Sequence, residues 1–224
     1  MTIQAVSTPV LSFAATTADL NINGSTQLSV ATKAGGEITI LGDATLNGVV
    51  LFGNPMSVSG DVLVNGNLTV GNAATEAYGT MTVGGNLEMH GGTLYLNYGR
   101  LDVSGNVILA QANTDGTYNS MQTNGCLYMN NEHDVFSIGG NLVTFFYYDG
   151  SSSFICSAGT MNIGGNWTNF TNYITGSGSF SVNFTGTKDL TVYGHASISV
   201  PNMTIENATS RNISMKGTVQ AGTL

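Results

Sequence analysis

Acids, bases and nucleophiles that act together have to meet in space, and this chain offers few of them. Its 224 residues hold 13 acidic, five basic and three histidine residues, and only Glu132-His133-Asp134 concentrates them. A carboxylate beside an imidazole can move a proton or hold a cation. Neighbours along a strand point to opposite faces, however, so the triplet reads as a solvated turn. His90 and His195 have no second ligand at useful spacing and read as surface residues. No Ser/His/Asp or Cys/His set can be assembled. The sequence therefore predicts no catalytic residue, no metal site, no cofactor and no enzyme activity.

The aromatic residues are better ordered. Tyr78-Gly79, Tyr98-Gly99 and Tyr118-Asn119 follow one another at steps of 20. Tyr128 and Tyr148 are nominally one further step apart, and Phe145-Phe-Tyr-Tyr148 adds Tyr147 beside Tyr148. Exposed aromatic strips bind sugar rings or other flat apolar faces. Tyr78, Tyr98, Tyr118, Tyr147 and Tyr148 are accordingly the candidate ligand-binding residues. A second role, a tyrosine stack that only covers and stabilises a corner, predicts the same spacing.

Elements that position such a row must repeat at the same interval, and a short phrase does. Met81-Thr-Val-Gly-Gly-Asn86-Leu-Glu-Met89, Leu101-Asp-Val-Ser-Gly-Asn106-Val-Ile-Leu109 and Met161-Asn-Ile-Gly-Gly-Asn166-Trp167 are its clearest copies. Met121-Gln-Thr-Asn-Gly-Cys126-Leu-Tyr-Met129 has Cys in the Asn slot. A turn residue joined to alternating apolar residues at a constant step of about 20 is the mark of a β-solenoid. No window keeps a helical period, whereas alternation such as Val62-Val64 and Leu68-Val70 recurs throughout. The expected fold is all-β, a single parallel β-helix of about 20 residues per coil and roughly 10–11 coils. Residues 1–20 form an N-terminal cap or assembly segment and 21–224 the solenoid.

One period apart means vertical neighbours about 4.8 Å away. Met81, Leu101, Met121 and Met161 should then share a column, as should Leu87, Val107, Leu127 and Trp167, together lining a dry interior. Asn67, Asn86, Asn106, Asn141 and Asn166 should mark a turn ladder, either through stacked amides or because Asn suits turns. Ile138-Gly-Gly-Asn141 arrives 15 residues after Gly125 and Gly165 follows 25 later, so one short arc precedes one long arc. That long arc, 142–160, is where something specific has room to sit. Cys126 and Cys156 are 30 residues apart, one and a half steps, which favours two buried thiols over a disulfide.

Composition narrows the partners. A net charge of −8 with five basic residues opposes nucleic acid and anionic membrane surfaces. No apolar run approaches the length of a bilayer span. The Gly-, Asn- and Thr-rich, charge-poor composition suits an exported surface protein, with any leader removed before Met1.

Val64-Asn-Gly-Asn-Leu-Thr-Val70, Gly91-Gly-Thr-Leu-Tyr-Leu96, Phe184-Thr-Gly-Thr-Lys-Asp-Leu-Thr-Val192 and Met203-Thr-Ile-Glu-Asn207 resemble the low-complexity β-helix regions of large bacterial secreted and cell-surface proteins. The likeness covers residues 46–224 and rests on repeat grammar. It implies a right-handed parallel β-helix, an extracellular or cell-surface location, and a stalk, adhesin or filament role. The expected function is a non-enzymatic structural or adhesive module, with head-to-tail self-assembly as a variant. Its partners would be further copies of itself or a surface glycan or protein. Phage tail fibres use similar phrases, and polysaccharide-binding or polysaccharide-degrading β-helices are the remaining alternative. The Gly-Gly-x-Gly-x-Asp calcium nonapeptide of other solenoids is absent from the sequence.

Overall fold

The computed structural model describes residues 2–4, 10–13, 20–23, 26–30, 37–47, 49–51, 55–112, 118–119, 126–146, 154–171 and 173–223. The chain is all-β, dominated by parallel pairing, with two short 3-10 turns at Ala73–Thr75 and Ala208–Ser210. Strands of three to five residues alternate inward and outward side chains, so apolar residues at every second position are buried.

Most of the described strands stack into three ladders. The first runs from Thr2–Gln4 through Leu20–Asn23, Ile38–Ile40, Pro55–Val58, Gly79–Val83 and Gly99–Val103 to Val135–Ile138, Thr160–Ile163, Ser181–Phe184 and 202–205. The second starts at Val10–Phe13 and Thr26–Val30 and passes through Leu87–Gly91 and Trp167–Asn169 to the last strand, Ile213–Thr223. The third joins Val49–Leu51, Leu68–Val70, Thr93–Leu96, Cys126–Met129 and Phe154–Cys156. Within residues 1–20, expected as an N-terminal cap or assembly segment, Thr2–Gln4 and Val10–Phe13 pair in the same ladders as the strands after them.

The step between rungs is not constant. Ile40, Val58, Val83, Val103, Ile138, Ile163 and Phe184 are successive partners in one column, and the step from Val103 to Ile138 is 35 residues. An antiparallel pair, Gln111–Ala112 with Tyr118–Asn119, interrupts the parallel order there. The phrase ending in Met129 therefore lies elsewhere: Leu127 faces Leu94 and Phe154 on the third ladder. Leu142 takes the expected place of Leu127 beside Val107 and Trp167, and Phe136 takes that of Met121 between Leu101 and Met161. The side chain of Met121 lies outside the described residues.

Between the ladders lies one apolar cluster, its bulkiest members Trp167, Phe136, Phe146, Phe180 and Phe184. Each such side chain contributes about 1.5–3 kcal/mol by leaving water. The interior is not wholly apolar. Leu109 is followed in its column by Thr144 and Asn169, both fully buried, and these are satisfied internally. Trp167 Nε1 donates to Thr144 Oγ1 at 3.2 Å, and Thr144 Oγ1 donates to Asn169 Oδ1 at 2.9 Å. Asn169 Nδ2 donates to the Thr171 carbonyl at 2.9 Å, and the Phe146 N–H donates to Thr171 Oγ1 at 2.9 Å. A buried polar group stays only when bonded in this way.

Candidate functional site

The repeated phrase builds a corner between the first two ladders. Its Asn side chain reaches one rung onward: Asn86 Oδ1 accepts the Asn106 N–H at 2.8 Å, Asn106 Oδ1 that of Asn141 at 2.8 Å, and Asn141 Oδ1 that of Asn166 at 2.8 Å. Asn166 Oδ1 accepts from the Thr191 N–H at 2.7 Å. The same row begins with aspartates, since Asp43 Oδ1 accepts the Asp61 N–H at 2.9 Å and Asp61 Oδ1 that of Asn86 at 2.6 Å. A γ-oxygen acceptor is what the position needs, so Asp serves as well as Asn. Amide-to-amide bonding is the lesser element, appearing between Asn106 and Asn86 at 3.2 Å. Asn67 does not belong to this row. Its Oδ1 accepts the Thr93 N–H at 2.8 Å beside the third ladder, because the hexapeptide before it carries the chain to another side.

The tyrosine corner departs from its expected form. Tyr78 and Tyr98 meet edge to face, centroids 5.4 Å apart and planes at 87°. The third place belongs to His133, 5.1 Å from Tyr98 at 84°, since the 35-residue step brings residue 134 beside residue 99. Tyr118 pairs antiparallel to Ala112 instead, and Tyr147 and Tyr148 lie outside the described residues. Alternating perpendicular rings make a herringbone, not a flat platform, and Tyr78 is 39% exposed. Burial pushes its phenol above the ordinary tyrosine value.

Beneath the rings sits Asp134, fully buried and not part of a solvated turn, although Glu132 and His133 beside it are exposed. Its Oδ1 accepts the N–H groups of Tyr98 at 2.7 Å and Gly99 at 3.1 Å; its Oδ2 accepts those of Asn130 at 3.2 Å and Asn131 at 3.0 Å. This holds Tyr98 at a φ of 70°, a left-handed conformation uncommon for a residue with a side chain. Burial raises the Asp134 carboxyl above the ordinary aspartate value, and the four donors pull it back only in part.

Other chemistry-bearing groups pair locally. Residues i and i+2 of a strand share a face, so Glu88 Oε1 meets His90 Nε2 at 2.5 Å and Asp102 Oδ2 meets Arg100 Nε at 2.5 Å. Further aromatic contacts escaped the spacing argument: Tyr95 stacks on Tyr128 at 5.0 Å, and Phe170 lies between Phe145 and Tyr193 at 5.7 and 6.3 Å. Register along the third ladder, which pairs Tyr95 with Tyr128 and Met129 with Cys156, would have shown the first of these. The same register puts Cys126 three residues, about 10 Å, from the position opposite buried Cys156, past disulfide reach.

Two grooves run along the outside of the Asn corner. One, of about 390 Å³, includes Asp43, Asp61, Glu88 and His90 with Leu63 and Ile108. The other, of about 700 Å³, follows Gly139–Asn141 and Gly164–Asn166 and is walled by Thr185–Asp189. Among the described residues no group of three or more His, Cys, Asp or Glu is placed to hold a metal ion, and no helix is long and apolar enough to cross a membrane. No protein-family model, no curated protein and no solved structure matches this chain.

Proposed function

We propose that the chain is a single parallel β-solenoid serving as a non-enzymatic structural or adhesive module outside the cell or on its surface. One observation carries this reading: the polar residue of the recurring phrase is bonded, rung after rung, to the backbone of the next repeat. The most regular feature of the sequence is thereby accounted for by building an elongated frame. Ten rungs of the first ladder among the described residues correspond to about ten coils and a rod about 45 Å long at the usual interstrand spacing.

End-to-end association extends the same reading. The last strand, Ile213–Thr223, is paired along one edge to 190–202, and among the described residues its other edge has no strand. Ile213 and Met215 are each 38% exposed there. An open edge with apolar side chains is a template for another strand. Small-angle scattering and sedimentation over a concentration series test both statements. A maximum dimension that starts near that of one rod and grows in rod-length steps is expected. A compact particle would refute the solenoid, and a rod that stays monomeric at all concentrations would refute the association.

A further inference from the structure

The wider groove is built differently from the rest of the corner that forms its floor. Between Val83 and Leu87 the corner takes three residues, Gly84-Gly85-Asn86, whereas between their register equivalents Phe184 and Val192 it takes seven, 185–191. The four extra residues lengthen the corner, and 185–189 form one wall of the groove. Arg211 fixes that wall, with Nη1 donating to the Lys188 carbonyl at 3.3 Å and Nη2 to the Phe184 carbonyl at 3.0 Å. Asp189 is held back from the groove's chemistry by Asn212, whose N–H and Nδ2 engage its two oxygens at 3.0 Å each. Those bonds keep its carboxyl below the ordinary aspartate value.

What remains along the groove is a set of donors. Asn141 and Asn166 use their Oδ1 atoms on the backbone, and among the described residues their Nδ2 groups meet no protein acceptor. The hydroxyls of Thr185 and Thr187 donate to none of the described residues either. Lys188 is exposed and enters no ion pair among them. The glycines between supply no side chain to fill the roughly 700 Å³ above them. Hydroxyl and amide donors match hydroxyl and ring oxygens, and one unpaired ammonium matches one carboxylate. A polyanion is a poorer fit, because Lys188 is the one cationic residue lining the groove, Asp189 lines it too, and the whole chain carries −8.

We infer that this groove binds an acidic oligosaccharide, a hydroxyl-rich chain with one carboxylate in the segment bound, which Lys188 pairs while Asn141, Asn166, Thr185 and Thr187 donate to its oxygens. The inference rests on the adhesive reading above and gives it a ligand class. The test is calorimetric titration of the whole chain with a hyaluronan hexasaccharide, with a chitin hexasaccharide as the uncharged counterpart and with sodium sulfate. Binding of the hyaluronan fragment is expected, weakened about tenfold by Lys188→Gln, in keeping with a charge-assisted bond, and about threefold by Thr187→Val. The chitin fragment should bind at least tenfold more weakly and be unaffected by Lys188→Gln. No binding, equal binding of both hexasaccharides, displacement by sulfate alone, or a Lys188→Gln chain that binds like the parent would each overturn the site. Scattering on the same samples separates the two failures, since a rod that does not bind removes only the ligand, whereas a compact particle removes the module itself.

Discussion

Two corners of this molecule solve the same problem in opposite ways. At the Gly-Asn corner each rung brings one side-chain oxygen to one N–H of the next, from Asp43 to Thr191. At the tyrosine corner a single carboxylate, Asp134, accepts four N–H groups drawn from residues 98–99 and 130–131. The first arrangement distributes the load, so each member contributes little and its neighbours continue without it. The second concentrates it in a buried charge that nothing else replaces. Regular repetition is thus a sign of modest individual contributions, and the residue that matters most need not repeat.

Substitution at each corner should expose that contrast, beginning with the largest effect. Asp134→Ala removes the acceptor of four backbone donors, that of Gly99 buried and the other three part-buried, and a loss of about 3–5 kcal/mol is expected from denaturant unfolding. Asp134→Asn should lose roughly half as much, because its amide can accept from Tyr98 and Gly99 while its NH₂ faces the Asn130 and Asn131 donors. Equal losses for Asp134→Ala and Asn106→Ala would erase the distinction. At the repeating corner, Gly140→Ala sets a Cβ 2.5 Å from Asn106 Oδ1 and 2.9 Å from the Gly105 carbonyl carbon, and about 2–3 kcal/mol should be lost to overpacking. Asn106→Ala removes one acceptor and should cost about 1 kcal/mol. Asn106→Asp should fall within about 0.5 kcal/mol of the parent, as Asp43 and Asp61 already fill that place.

The smallest expected effect concerns pH, and its sign differs between the corners. Asp134 has a folded value raised above 3.8, so the folded state holds its proton longer than the unfolded chain. Its contribution is present below 3.8 and is lost as pH rises through the raised value. Asp189 is lowered, so it contributes above 3.8 and that contribution fades as pH falls through its folded value. Melting curves from pH 3 to 7 for the parent, Asp134→Asn and Asp189→Asn should tilt in opposite senses. Parallel curves for the two variants would contradict the assignment.

Much of the frame was legible in the sequence. Alternation at Val62-Val64 and Leu68-Val70 marks buried strand positions that the structure fills, and the parallel stacking of the Gly-Gly-Asn phrases follows from their recurrence. Two things were hidden. An antiparallel pair inserted after Leu109 leaves the repeated phrase recognisable on either side, so Met121–Met129 looks like the next rung although its described part, Cys126–Met129, belongs to another side. Chemical equivalence hid the rest: Asp43 and Asp61 take the role of Asn because only a γ-oxygen is required, which a search for Asn misses. Asp134 follows an exposed pair, Glu132 and His133, and its burial depends on residues 35 positions earlier. The wall at 185–189 was visible as a looser copy of the phrase, yet its extra length acquires meaning only beside the glycine floor.

The pairing of Gln111–Ala112 with Tyr118–Asn119 has a consequence for the whole architecture. Val103 and Ile138 remain register partners across a step of 35 residues, as Val83 and Val103 do across 20. Closing a longer loop adds little entropy cost, about 0.6 kcal/mol for each doubling. The frame therefore behaves as a mounting rail, on which a segment of new sequence can be carried at a rung boundary while the rungs on either side keep their seats.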